Sequence, residues 1–221
     1  MNIFDILGPI MVGPSSSHTA GAVRMGLITR KLLGEEPIRA RIILHGSFAD
    51  TGVGHGTDKA LIAGLLGMQP DDIRIPHSDM IAKEQNLSVT FEREYLDGIH
   101  PNTAILEVEG NNHTKIKTQV CSLGGGRIMV HSIDDVEVNI SGEHYTLVIH
   151  NEDRPGYVAR ITHVLSERQV NIATMQLCRE KRGGDAVMIL EMDQEISEEI
   201  ISCFRQLDGI KSVTYVSKIE V

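Results

Sequence analysis

The sequence predicts an α+β protein of two domains, and three observations carry that expectation. Short segments alternate apolar and polar residues with a period of two, the signature of strands buried on one face. Two stretches repeat apolar residues at helical spacing. Beyond residue 142 the elements run strand, helix, strand, strand, helix, strand, a ferredoxin-like βαββαβ order. The short interruption Ser141-Gly142-Glu143 sets the expected boundary, residues 1–141 against 142–221.

In the first domain, Ala22, Met25, Ile28 and Leu32 recur at helical spacing. Ile38, Ala40, Ile42 and Leu44 then alternate as a strand. Thr57 is placed to cap a second helix, with Asp58 complementing the dipole in its first turn and Leu61/Leu65 and Ile62/Leu66 as its apolar pairs. Four further runs alternate: Leu87, Val89, Phe91; Ala104, Leu106, Val108; Ile116, Thr118, Val120; and Val136, Val138, Ile140. Such alternation buries one face only, so the expected sheet is antiparallel or mixed with helices on one side.

The second domain reads strand Tyr145–Asn151, helix Pro155–Arg168, strand Asn171–Glu180, turn Lys181–Gly184, strand Asp185–Met192, helix Ile196–Leu207 and strand Lys211–Ile219. Pro155 suits the first position of its helix, where a missing N–H costs nothing. Val158, Ile161 and Leu165 form that helix's apolar stripe, and Arg182-Gly183-Gly184 suits a hairpin turn.

Composition excludes several classes. The 221 residues carry 21 Lys and Arg against 30 Asp and Glu, a net charge of −9. An acidic surface repels phosphates, and 4% aromatics with no Trp leave few platforms for bases, so no nucleic acid is expected as partner. Apolar runs are short, so no membrane span is expected. Met1–Met11 lacks a basic flank and a small-residue cleavage site, which reads as no signal peptide and a cytoplasmic location. Cys121, Cys178 and Cys203 are odd in number and widely spaced, against a disulfide framework and in keeping with a reducing compartment. Three cysteines could hold an iron–sulfur cluster with one open iron. Cys203 beside the Ile200, Phe204, Leu207 stripe and Cys178 within an alternating strand read instead as structural thiols.

Chemistry gathers in four segments of the first domain. Gly13-Pro14-Ser15-Ser16-Ser17-His18-Thr19 runs a Gly-Pro turn into a helix start, where exposed amides favour an anion such as a carboxylate. Serine hydroxyls orient that group, and His18 is a proton carrier near neutral pH. Gly46 to Asp58 follows a strand and precedes a helix, a ligand position in many α/β units, and reads as a glycine-rich loop. It places His55 just before a helix amino end, whose dipole favours the neutral, base-competent ring. The glycine spacing is neither a dinucleotide fingerprint nor a phosphate loop. His100-Pro101-Asn102-Thr103 opens one strand and Gly124-Gly125-Gly126 follows another after Ser122. Convergence of four such segments is what a pocket for a small polar ligand requires. Zinc is the weaker idea, because His18, His55 and His100 show no short-range ligand spacing. In the second domain, Asn151 to Gly156 and Val170-Asn171-Ile172 present amides near a helix start, suited to an amino acid or an ion.

At these residues a resemblance becomes specific. Gly13 to Thr19, Gly46-Ser47 with Gly54-His55-Gly56-Thr57-Asp58, and Ser122-Leu123-Gly124-Gly125-Gly126-Arg127-Ile128 are similar to the beta portion of type 2, iron–sulfur L-serine dehydratases. Asp153-Arg154-Pro155-Gly156 with Val170-Asn171-Ile172 resembles an ACT regulatory domain. The resemblance implies a first domain like the allosteric substrate-binding domain of some phosphoglycerate dehydrogenases. It implies an L-serine ammonia-lyase, converting L-serine to pyruvate and ammonia without pyridoxal phosphate. A 4Fe-4S cluster is implied on an L-serine dehydratase alpha chain, with no cluster ligand in this chain. It further implies His18, His55 and His100 as catalytic candidates, the choice between His18, His55 and a residue of the alpha chain as the base staying open. Ser15, Ser16, Ser17, Thr19, Thr57, Asp58, Asn102, Gly124, Gly125 and Gly126 are the implied substrate contacts. In the ACT domain, Asn151, Asp153, Gly156 and Asn171 are the implied effector site, for an amino acid or a cation such as potassium, and such domains self-associate. A non-catalytic amino-acid sensor is the alternative, which the double histidine set disfavours.

Overall fold

The computed structural model describes residues 10–179 and 181–219. Most of Met1–Met11, the segment expected to be no signal peptide, and Glu180, the expected end of a strand, lie outside these bounds. The chain divides into two compact units near Ser141, with Val136–Val138 grouped with the second.

In the first unit a π-helical turn, Ser16–Gly21, runs directly into α1 (Ala22–Leu33). Next come β1 (Pro37–His45), α2 (Ser47–His55), α3 (Thr57–Leu65), a 3-10 turn Ile75–His77 and α4 (Ser78–Glu84). Then β2 (Ser88–Glu94), β3 (Thr103–Gly110), β4 (Lys115–Gly124), β5 (Arg127–Ile133) and β6 (Val136–Ile140) complete a sheet ordered β2-β1-β3-β4-β5-β6. β2 pairs parallel with β1, whereas β1–β3, β3–β4 and β4–β5 are antiparallel, so the sheet is mixed.

Alternation places Ala40, Ile42, Leu106, Val108 and Val120 in the core. Each large apolar side chain so buried contributes about 1.5–3 kcal/mol. The Thr29 and Thr118 hydroxyls, 2.8 Å apart, satisfy each other where α1 crosses β4. The charged partners of that alternation form cross-strand pairs such as Arg41 with Glu92 and Glu107. α1 and α3 cross at glycines: a Cβ on Gly64 would lie 2.0 Å from Val23 O, and one on Gly26 would lie 2.4 Å from Leu61 O. The tip of the β3–β4 hairpin is held by Glu35, whose carboxylate accepts from the amides of Asn112 and Thr114.

Several elements differ from expectation. The glycine-rich segment is largely the helix α2, stabilised by burial of Phe48, Ala49 and Gly52. Thr57 is therefore the first residue of α3, not its cap; Gly56 caps with φ +68° and no side-chain bond. β5 was masked by the glycine run before it, and α4 is only 7 residues long. β2 is an edge strand, so Phe91 stays 37% exposed despite its alternating position.

The second unit consists of β7 (Tyr145–Glu152), α5 (Tyr157–Glu167), β8 (Ile172–Arg179), β9 (Asp185–Met192), α6 (Glu198–Arg205) and β10 (Ile210–Val216). Its antiparallel sheet is ordered β10-β7-β9-β8. Leu147, Ile149, Met188 and Leu190 pack against Ile161 and Leu165 of α5 and Ile200 and Phe204 of α6. α5 starts at Tyr157 because Gly156 takes φ +95°, which leaves Pro155 ahead of the helix rather than within it.

Candidate active site

Ser15 begins the site. Its extended backbone stops the helix, and its hydroxyl accepts from His18 N at 3.1 Å. Thr19 N and Ala20 N both bond to Ser15 O, and this widened turn brings His18 round toward α2. Gly13 lies against Thr19, which is buried and donates its hydroxyl to His55 O at 3.2 Å. The π-helical turn ahead of α1 is thereby fastened to the last turn of α2.

Along α2, Ser47, Thr51 and His55 recur every four residues and so share one side. His18 Nε2 lies 3.0 Å from Ser47 Oγ and 3.2 Å from Thr51 Oγ1. Thr51 donates its own hydroxyl to Ser47 O at 2.9 Å, so toward the ring it accepts, which favours a hydrogen on His18 Nε2. The His55 ring stands 4.9 Å from the His18 ring, centroid to centroid. His55 Nδ1 lies 3.1 Å from Thr51 O, and a carbonyl only accepts, so Nδ1 carries the hydrogen. In the neutral ring the free lone pair is then on Nε2. Phe48 packs edge-on against His18 at 5.0 Å. Burial, then the neighbouring His55, push His18 below the ordinary histidine range.

Two turns border this pair. Ser47 N donates to Pro101 O at 2.8 Å, and Gly46, with φ +55°, leaves no room for a Cβ beside Pro101. Asn102 O accepts from Ser122 N at 2.9 Å, tying the His100–Asn102 turn to the end of β4. The His100 ring is exposed and folds back on its own turn, Nδ1 accepting from Asn102 N at 3.2 Å. On the other border Gly124, Gly125 and Gly126 take φ of +88°, +62° and +79°. A Cβ on Gly124 would stand 3.5 Å from Ser17 Oγ.

The structure thus gathers Ser15, Ser17, His18, Thr19, His55 and Gly124 and sets the His100–Asn102 turn beside Ser47. Thr57 is fully buried against Gly52, and its hydroxyl has no hydrogen-bond partner among the described residues. His55 is the last residue of α2 and directly precedes Gly56, the N-cap of α3, as expected; its hydrogen bond to Thr51 O sets which ring nitrogen carries the hydrogen. Asp58 lies in the first turn of α3, where it complements that dipole. Ser16 is half-buried in the π-helical turn. Ser47 and Thr51 were not among the expected contacts; their spacing from His55 signals a shared face only once the segment is read as a helix. A concavity of about 430 Å³ lined by Arg39, Arg41, Glu107 and Lys117 lies elsewhere, over charged residues of β1, β3 and β4.

Among the described residues no group of three His, Cys, Asp or Glu side chains could hold a metal ion. Cys121, on β4, is buried with its Sγ 3.3 Å from His131 Nε2, and burial pushes its thiol up. Cys178 and Cys203 lie in β8 and α6 of the other unit. Neither unit alone carries three thiols for a cluster: the first has Cys121 and the second Cys178 and Cys203.

The four expected effector residues do not form one site within a protomer. β7 and β8 each pair antiparallel with β9, so they run parallel; Ile172 and Tyr145 both align with Met192, while Asn151 aligns with Ala186. Asn171 is therefore at the opposite end of the sheet from Asn151, Asp153 and Gly156, roughly 20 Å away at the rise of a strand. Asp153 is already engaged: it accepts from Gly183 N at 2.8 Å and Arg179 Nη1 at 2.7 Å, which hold its carboxyl below the usual carboxylate range. Asn171 donates to Asp193 at 2.5 Å. Asn151 is 2% exposed, donates to Glu152 O at 2.7 Å, and has no hydrogen-bond partner for its Oδ1.

The family profile described as Serine dehydratase beta chain matches residues 2–90, and that described as ACT domain matches residues 145–209. The chain is 37% identical over 216 residues to a probable L-serine dehydratase beta chain of Bacillus subtilis, covering 98% of each chain. It is 32% identical over 214 residues to the L-serine dehydratase beta chain of Peptoniphilus asaccharolyticus, covering 96% of each. A D-3-phosphoglycerate dehydrogenase of Methanocaldococcus jannaschii is 27% identical over 204 residues, which cover 89% of this chain and 37% of that one.

Proposed function

The chain belongs to the family of L-serine dehydratase beta chains, and from that premise we propose that it serves as the beta subunit of a cytoplasmic L-serine ammonia-lyase. Its partner is an alpha chain that carries the 4Fe-4S cluster, since neither unit of this chain alone carries three thiols for one. The cluster supplies Lewis acidity toward the substrate hydroxyl. This chain binds and orients the zwitterion and moves a proton. Ser15, Ser17 and the Gly124–Gly126 turn receive the carboxylate, because a helix start offers unpaired amides and a favourable dipole.

His55 takes the Cα proton at Nε2, the nitrogen left free by the bond to Thr51 O. His18 stays neutral beside it, since burial and a charged His55 both oppose its protonation. Its Nε2–H, supported by Ser47 and Thr51, then orients substrate rather than competing as base. The aminoacrylate released hydrolyses to pyruvate and ammonia. The observation that carries this reading is the close pairing of His18 and His55, two imidazoles in different hydrogen-bonding states on one hydroxyl-lined wall.

The ACT unit regulates through self-association. β8 is a sheet edge and leaves Met175 and Leu177 about half exposed, 47% and 48%, features that a second copy would cover. Asn151, with its free Oδ1, is the residue left to receive an effector ammonium group or a potassium ion.

The test is anaerobic co-purification with a cysteine-rich companion, followed by pyruvate assays with L-serine. The complex should form pyruvate and the chain alone should not. Turnover by the isolated chain would refute the division of labour. In the complex, a His55 variant that loses serine binding rather than turnover would favour a sensor.

A further inference from the structure

Thr51 bonds to both imidazoles of the pair. Its hydroxyl oxygen stands 3.2 Å from His18 Nε2, and its carbonyl oxygen 3.1 Å from His55 Nδ1. The hydroxyl owns one hydrogen, which goes back along α2 to Ser47 O at 2.9 Å, a common bond for threonine within a helix. Toward His18 that oxygen then presents lone pairs alone, so the facing ring nitrogen must bring the hydrogen. Ser47 acts differently. Its hydroxyl, 3.0 Å from the same Nε2, rotates to give or to take and therefore serves either tautomer of His18. The choice falls to Thr51. His55 meets a carbonyl, which only accepts, so its hydrogen belongs on Nδ1. Two rings 4.9 Å apart thus carry their hydrogens on opposite nitrogens, and both assignments trace to one residue.

We infer that Thr51 is a positioning residue that divides the labour of the histidine pair: its hydroxyl fixes His18 as a donor through Nε2, and its carbonyl leaves His55 an acceptor at Nε2. The inference deepens the proposed function and rests on it for the catalytic consequence; the tautomers themselves are properties of this chain. The two halves separate under substitution. Without the hydroxyl, Ser47 turns its own hydrogen toward His18 Nε2, the ring hydrogen moves to Nδ1, and the donor is lost. The carbonyl survives every substitution, so His55 keeps its state.

Nitrogen NMR of the full chain carrying isotope-labelled histidine reads each ring nitrogen, in mildly alkaline buffer where both rings are neutral. His18→Gln and His55→Gln assign the two sets of signals. The wild type should show hydrogen on His18 Nε2 and on His55 Nδ1. Thr51→Val should move the His18 hydrogen toward Nδ1 and leave His55 unchanged, whereas Ser47→Ala should move neither. Thr51→Ser restores the hydroxyl and should restore the wild-type pattern. Thr51 is exposed, so these changes spare the core. In the complex with the alpha chain, Thr51→Val should lower kcat for L-serine about 2- to 10-fold, the scale of one neutral hydrogen bond, and Thr51→Ser should stay within about twofold of wild type. Hydrogen on His18 Nδ1 in the wild type overturns the inference, and that spectrum decides even where Thr51→Val does not fold. A Thr51→Val chain with the wild-type pattern also overturns it, as does a Ser47→Ala chain that switches in the same way. A wild-type complex inert toward L-serine refutes the functional reading, while the ring-nitrogen spectra still judge the tautomer assignment by themselves.

Discussion

The crossing of α1 and α3 offers a direct way to move the histidines apart without touching either. Gly64→Ala places a methyl 2.0 Å from Val23 O and 2.8 Å from both Gly26 Cα and Leu27 N. All three are backbone atoms of the facing helix, so no side chain can swing aside. Ordinary contact begins at 3.4 Å, which requires α1 to retreat by about 1.4 Å. Overpacking of this kind costs about 1–3 kcal/mol. At 2–4 °C per kcal/mol for a chain of this size, the melting temperature should fall by roughly 2–12 °C. Because α1 continues directly from the turn carrying His18, the retreat also stretches the 3.0 Å contact of His18 with Ser47 past hydrogen-bonding range. Thermal unfolding followed by circular dichroism measures the first effect, and kcat/KM of the complex the second. Gly54→Ala is the control, since a Cβ there meets nothing within 4 Å and removes a flexible residue from α2. It should hold or raise the melting temperature. A Gly64→Ala chain that melts with the wild type would refute the close-crossing argument, and one that melts low yet keeps full activity would refute its link to the site.

His55→Gln keeps a donor of similar reach but removes the base, and kcat should drop about 10²- to 10⁴-fold with serine binding retained, as read by single-turnover and competition assays. His18 sits below its ordinary value of 6.5, so on acidification the unfolded chain takes up the proton first. The stability it contributes is complete above pH 6.5 and is lost as pH falls below that value. His18→Gln should flatten this part of the pH–stability curve, and an unaltered slope would discard the assignment. Glu35→Ala removes the acceptor for two hairpin-tip amides, so hydrogen exchange at Asn112 and Thr114 should quicken while the sheet core stays protected.

How much of this was legible beforehand follows from the physics of each element. Alternation marked β1, β3 and β4 because one face of each meets the helices. The six elements of the second unit were readable in order for the same reason, with their ends shifting by a few residues where a left-handed Gly156 replaced Pro155 as the helix boundary. α2 was not legible. Gly52 and Gly54 each cost about 1 kcal/mol of helix propensity, and local reading turned the segment into a loop. Burial of Phe48 and Ala49, a tertiary effect, outweighs that cost.

The sequence by itself determined the inventory: which residues carry imidazole, hydroxyl and flexible backbone, which periodic runs become strands, and which family the motifs resemble. Only the tertiary structure decided their relations. Folding α2 as a helix aligned Ser47, Thr51 and His55, and a glycine-to-glycine crossing brought His18 against them from 29 residues away. It also separated Asn171 from Asn151, which the parallel course of β7 and β8 puts at opposite ends of one sheet. Proton roles depend on distances of about 3 Å between groups distant in the chain, and no local pattern encodes such distances.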